Sequence, residues 1–144
     1  MKILDYWMIS KNTLCAYNKM CEPILAKYDL PQVSFDILMF LANNPEYKTA
    51  QDISEIKGIK KNLVSVHVEK LVSAGLLERG FIVGDRRKIS LSPTVKAASI
   101  IEEGLAVQSD FYQRIICGIS KEDWAAYKRI NEQVVKNTQA ILNG

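Results

Sequence analysis

The chain has 144 residues, 48% hydrophobic and 24% charged, with a formal net charge of +3 at pH 7. That length buries one sizeable core rather than two, and that balance excludes a disordered chain, a collagen-like repeat and a disulfide-dense scaffold. Three cysteines without C-x-x-C spacing, a single histidine, and no Walker loop, G-x-S-x-G or H-E-x-x-H leave no expectation of a metal, a cofactor or an enzyme.

No apolar run approaches the roughly 20 residues that span a bilayer. The opening M-K-I-L-D-Y-W-M-I-S has an acid and no small-residue cleavage site, so a cytoplasmic protein is expected. Apolar residues at helical spacing (Leu4, Met8, Leu14, Tyr17, Cys21, Ile24, Leu25, Tyr28) predict a long helix over Asp5–Tyr28, its last turns bent by Pro23. A mostly buried helix over Val33–Leu41 follows and stops at Asn43–Pro45. T-A-Q-D has the form of a capping box, Thr49 capping and Asp52 reaching back, and opens a short helix of about Ala50 to Lys57 that a left-handed Gly58 ends. The next helix, roughly Lys61 to Ala74, sets Val64, Val68, Leu71 and Val72 on one side and closes at Gly75. Two helices around a tight glycine turn make a helix-turn-helix. The strips L-L-E-R-G-F-I-V and K-I-S-L-S then predict a hairpin with G-D-R-R at its tip, which completes a winged helix. Ser92 capping and Pro93 at the first helical position predict a helix to about Cys117 that tolerates Gly104 at about 1 kcal/mol. Ser120 with Asp123 opens the last helix, to about Leu142.

The expected class is therefore mainly α, an α+β winged helix within one domain over 1–144: a winged helix-turn-helix lobe over 31–92 and a helical region from 1–30 and 93–144. Apolar side chains from Ile100 to Ile116 and from Trp124 to Leu142 exceed what so small a lobe needs, which asks for a second copy as partner. Charge is segregated as well. From Lys57 to Lys88 eight bases stand against three acids, a net +5, leaving −2 for the other 112 residues. Such a segment is the footprint of a surface that meets phosphate.

The order of elements, and above all L-V-S-A-G-L-L-E-R followed by D-R-R-K-I-S-L, resembles the MarR family of bacterial transcription regulators across nearly the whole chain. Three positions depart from the family pattern: Lys60 stands where a serine or threonine usually caps the recognition helix, L-S-P-T-V replaces L-T-x-x-G, and Pro31-Gln32-Val33-Ser34 replaces T-x-x-Q. The resemblance implies a homodimer whose first and last two helices interlock and whose two lobes read a pseudo-palindromic DNA duplex. Its half-sites are spaced by about one helical turn, roughly 10 base pairs.

On the recognition helix, Asn62 and Ser65 suit base edges, Val66 a thymine methyl, and Lys60, Lys61 and Lys70 phosphates, with Glu69 orienting a neighbouring lysine. On the wing, Arg87, oriented by Asp85, suits a minor groove, and Arg86 and Lys88 suit phosphate. A solvated turn and a plain exposed helix face are the competing readings. His67 falls on the inward half of its helix and is assigned no role. Cys15 and Cys21 read as inert packing, with thiol sensing as the alternative. Tyr6, Tyr17, Phe35, Phe40 and Phe111, with Trp7, Tyr112 and Trp124, either form dimer core or line a cleft for a small phenolic or amphipathic effector. The functional expectation is a homodimeric repressor released by such an effector. The alternatives are a winged-helix protein-interaction module without DNA binding and a thiol-based redox-sensing regulator.

Overall fold

Helix α2, Gln32–Asn43, buries Ser34, Phe35, Ile37, Leu38, Met39 and Leu41, and the core collects around it in the computed structural model, which describes residues 2–144. A helix apolar on nearly every side is stable only when neighbours cover it. Covering residues come from α1 (Ile3–Tyr28) through Cys21 and Ile24, from α4 (Lys61–Ser73) through Val64, Val68 and Leu71, and from α5 (Ala98–Ile115) through Ile100. Leu77 of β1 (Leu77–Ile82) and Leu91 of β2 (Asp85–Pro93) complete it. Contacts divide the chain into two compact units, the first ending at Ser109 and the second running Asp110–Gly144.

Helix α1 continues unbroken through Pro23 to Tyr28 and ends on Asp29, which adopts the left-handed conformation (φ 51°). Thr49 and Asp52 form the expected capping box, Thr49 Oγ1 accepting from Asp52 N–H at 3.0 Å and Asp52 Oδ2 accepting from Thr49 N–H at 3.0 Å. The short helix it opens is α-helical only over Ala50–Asp52 (α3) and then loosens into a π-helical turn over Ile53–Lys57, rather than holding one winding throughout. Gly58 (φ 78°) closes that turn. Helix α4 ends as a Schellman motif: Leu76 N–H donates to Leu71 O and Gly75 N–H to Val72 O, with Gly75 at φ 73°.

One helix start is displaced from the sequence expectation by strand pairing. Ser92 and Pro93 do not open a helix; they pair with Glu78 and Leu77 as the end of β2, where a proline costs little. Thr94 takes the cap position instead, leading through a 3-10 turn at Val95–Ala97 into α5. Gly104 is also more than tolerated. A Cβ there would lie 2.5 Å from Met39 Sδ and 3.1 Å from Phe35 Cζ, so α5 approaches α2 at this point only because the side chain is a hydrogen.

In the second unit α6 (Lys121–Asn143) is capped by Ser120, whose Oγ accepts from Asp123 N–H at 3.0 Å. Trp124 Nε1–H donates to Tyr112 Oη at 2.7 Å, and its ring stacks on Tyr127 with centroids 5.1 Å apart. Apolar side chains remain exposed on α1 (Ile3, Leu4, Trp7, Met8, Ile9, Leu14) and on α6 (Ile130, Val135, Ile141, Leu142). Among the described residues no helix is long and apolar enough to cross a membrane.

Gly104→Ala gains about 1 kcal/mol of helix propensity against the crowding of Met39. Gly104→Val adds two further carbons with no propensity to offset them, and overpacking of this kind costs about 1–3 kcal/mol. Urea unfolding should therefore show a clear loss for the valine variant and a small change for the alanine variant.

Candidate nucleic-acid interface

Helix α4 owes its orientation to a buried strip of Val64, His67, Val68 and Leu71. His67 is tolerated inside because its Nδ1 shares a 2.8 Å hydrogen bond with Ser34 Oγ on α2. With that strip turned inward, Lys60, Lys61, Asn62, Ser65, Val66 and Lys70 are all exposed. Lys60 occupies the cap position with no side-chain cap bond, so the first amides of α4 are left unclaimed by a cap. Glu69 pairs not with a lysine but with Arg79 on β1, Oε2 accepting from Nη2 at 2.7 Å.

Two downstream residues hold the other end of α4. Lys96 Nζ donates to Ala74 O at 2.8 Å and Thr94 Oγ1 to Gly75 O at 2.5 Å, satisfying carbonyls that a helix C-terminus leaves free. Sequence reading passed over both. The available signal was the Gly75 cap itself, which announces free carbonyls in need of donors. Arg79 offered no comparable signal, since its partner lies ten residues away across a change of secondary structure.

The wing is not built as the sequence implied. Its turn is Val83-Gly84 (Gly84 φ 89°), and the three cations lie beyond it, inside β2. Phe81 pairs with Ile89, yet the next pair is Ile82 with Asp85, so Arg86, Arg87 and Lys88 are extruded between consecutive pairs as a bulge. All three are exposed. Asp85 orders this bulge through the backbone, its Oδ1 accepting from Arg87 N–H at 3.0 Å, rather than by holding the Arg87 guanidinium.

Two grooves separate the wing from the helices. One, of about 320 Å³, is lined by Lys61, Ser65, Arg79 and Ile89 among others. The other, of about 580 Å³, sets Glu46, Asp52 and Glu55 opposite Arg87 and Lys88. Burial acts to raise the Asp52 carboxyl, but hydrogen bonds from Thr49 and Lys48, and the charge of Lys88, hold it below the ordinary carboxylate range. Among the described residues no cluster of His, Cys, Asp and Glu is placed to hold a metal.

Of the aromatic side chains singled out in the sequence, Tyr17 and Phe40 share a third cleft, of about 230 Å³, with Asp36, Met39, Asn43, Asn44, Lys57 and Gln108. Tyr17 Oη accepts from Gln108 Nε2 at 3.1 Å, and burial pushes its phenol up to about 12. Burial also raises Asp36, against the Gln32 amide bonded to it at 2.9 Å. Phe35 is wholly buried in the core and so is not a cleft residue, while Tyr6 and Trp7 lie exposed on α1. Phe111, Tyr112 and Trp124 belong to the second unit. Cys21 is fully buried and its thiol raised by that burial, whereas Cys15 is exposed, not packed.

Residues 28–88 match the family model described as MarR family. The HTH-type transcriptional regulator TcaR of Staphylococcus aureus (strain Newman) is 25% identical over 144 residues, 99% of this chain and 93% of that protein. Among solved structures, transcriptional regulator PA3341 superposes with a TM-score of 0.83 at 20% identity, over 94% of this chain and 98% of that one. The S. aureus MepR–DNA complex superposes with a TM-score of 0.70 at 19% identity, over 99% and 95%. At these identities the superpositions establish a shared fold.

The buried position of His67, with the charge of Lys70 nearby, lowers its pKa from the ordinary 6.5. The unfolded chain then binds more protons than the folded one below that value, so stability is full above about 6.5 and declines as pH falls toward the lowered folded value. Thermal unfolding followed from neutral to mildly acid pH should show this loss, and His67→Gln should remove that component of it.

Proposed function

We infer that this chain, which belongs to the MarR family, binds duplex DNA as a homodimeric, cytoplasmic transcription regulator, acting as a repressor that a small effector releases. The observation that carries the reading is the joint exposure, in one compact unit, of the polar face of α4 and the extruded cations of the wing. Residues 31–92 form the DNA-binding lobe. Asn62, Ser65 and Val66 face base edges in the major groove, Lys60, Lys61 and Lys70 neutralise phosphates, and Arg87 enters the adjacent minor groove with Arg86 and Lys88 on its rims. Asp85 serves by fixing the bulge that displays them.

Residues 1–30 and 93–144 supply the dimer contacts, and their support is the exposed apolar surface of α1 and of α6, more than a solitary chain keeps in water. The effector reading rests on the cleft around Tyr17 and Phe40, whose mixed apolar and amide lining suits an amphipathic molecule. A thiol switch at Cys21 is disfavoured by its burial.

A gel shift of the purified protein on its own upstream DNA tests the reading. Arg87→Ala should weaken binding more than tenfold and reduce the slope of log affinity against log salt by about 0.9, the share of one neutralised phosphate. Retention of full affinity by that variant would count against the wing's assignment.

A further inference from the structure

The inner face of the wing stays apolar beyond the point where the helices cover it. The pairs Leu77–Pro93, Arg79–Leu91 and Phe81–Ile89 alternate with Glu78–Ser92 and Gly80–Ser90, so the first three share one face. Exposure climbs outward along it, from 2% at Leu77 and 5% at Leu91 to 49% at Ile89 and 74% at Phe81. Val83, in the turn, is wholly exposed. The core does not require these side chains, and a turn that merely reverses the chain is ordinarily polar. Three cations, Arg86, Arg87 and Lys88, emerge beside them between the Phe81 and Ile82 pairs, with Glu46, Asp52 and Glu55 across the groove that Ile89 also lines. An apolar strip beside a cluster of cations is complementary to an object with apolar walls between anionic rims, which describes the minor groove: deoxyribose walls between two phosphate backbones. Ile89 also lines the same groove as Lys61 and Ser65 of α4, so a duplex seated on α4 passes this face.

We propose that Phe81 and Val83 pack on the deoxyribose walls of the minor groove, giving the wing a contact that salt does not screen. The inference rests on the DNA-binding reading and deepens it. Phosphate contacts weaken with salt through counterion release, whereas burial of apolar surface does not. The two kinds of contact therefore separate in one experiment.

Full-length wild type, the double variant Phe81→Ser/Val83→Ser, Phe81→Leu, and the double variant Arg87→Ala/Lys88→Ala are titrated, by fluorescence anisotropy over a salt series, against a duplex that the wild type recovers from a random-sequence pool. The serine variant should lose about tenfold in affinity at every salt concentration, giving a log–log line parallel to that of the wild type. Phe81→Leu keeps apolar surface and should bind close to wild type. The cation variant should give a shallower line, its slope reduced by about 0.9 per charge removed. Because the replaced side chains are exposed, circular dichroism and the unfolding midpoint should not change. Wild-type affinity in the serine variant, a change in its slope, or a loss explained by unfolding overturns the inference while leaving DNA binding intact. So does a serine variant that binds the duplex normally but no longer binds anionic lipid vesicles that the wild type binds. A wild type that recovers no duplex overturns the DNA-binding reading itself, and this inference with it.

Discussion

The rotation of α4 about its own axis decides everything the interface can do. A helix advances about 100° per residue, so the buried strip of Val64, His67, Val68 and Leu71 admits one orientation, and the residues between them are outward by default. Burying each aliphatic member stabilises the fold by roughly 1.5–3 kcal/mol. His67 adds discrimination to that attraction. A polar group buried without a partner costs about 1–3 kcal/mol, and Ser34 supplies the partner in one register only. The apolar strip holds the helix in place, and the polar pair penalises the neighbouring orientations, in which Ser65 or Val66 would turn toward the core.

Orientation about the axis still leaves α4 free to slide or tilt, and other contacts limit that. Its C-terminus is held by Thr94 and Lys96 at the start of α5, and its outer face is linked to the wing by Glu69 and Arg79. Exposed ion pairs contribute only about 0–1 kcal/mol, so the Glu69–Arg79 pair sets the direction of Arg79 more than it stabilises the lobe. The hairpin is tied at its base too, where Leu91 N–H donates to Lys48 O at 2.7 Å, just before the Thr49 cap of α3. Recognition helix, wing and the approach to α3 therefore behave as one block, seated on α2 through Val64, Val68, Leu71, Leu77 and Leu91 and joined to α5 at the C-terminus of α4.

What could be read from the sequence was whatever depends on near neighbours along the chain. The Thr49–Asp52 box, the left-handed glycines at 58 and 75, and the apolar spacing of α4 are decided within a few residues, and each appears where local chemistry puts it. The errors arose where a distant strand or helix settled the outcome. Ser92-Pro93 carries a sound helix-start pattern, but pairing with Leu77 and Glu78 holds both residues in the strand until Thr94. The bulge of Arg86–Lys88 is a matter of register, which depends on how Phe81 and Ile82 choose partners and leaves little trace in the alternation of residue types. Gly104 looked like a propensity defect because its cause, the approach of Met39 and Phe35, lies on another helix. Phe35 looked available to a ligand because nothing in its own neighbourhood revealed that its side of α2 is covered.

The same block architecture constrains how an effector can act. The cleft at Tyr17 and Phe40 is lined from α2 by Asp36, Met39 and Asn43, from its C-cap by Asn44 and from α5 by Gln108, and none of the residues assigned to DNA lies in it. A molecule seated there has no direct route to a base or a phosphate. Helix α2 is locked into the core through Phe35, Ile37, Leu38, Met39 and Leu41, so it is the less yielding wall. Helix α5 is the better lever, since its beginning grips the C-terminal carbonyls of α4 through Lys96 and Thr94. Within the repressor reading, an effector releases DNA by favouring an α5 position that carries recognition helix and wing together away from the duplex. A ligand that fits both positions equally shifts nothing, however tightly it binds. The differential contacts available are specific. Gln108 already bridges Tyr17 and Asn43, at 3.1 and 2.9 Å, across the two walls. A ligand that takes over those hydrogen bonds replaces the links from α5 to α1 and to α2 with its own, and the difference between the two sets of links is the free energy through which it can reach α4.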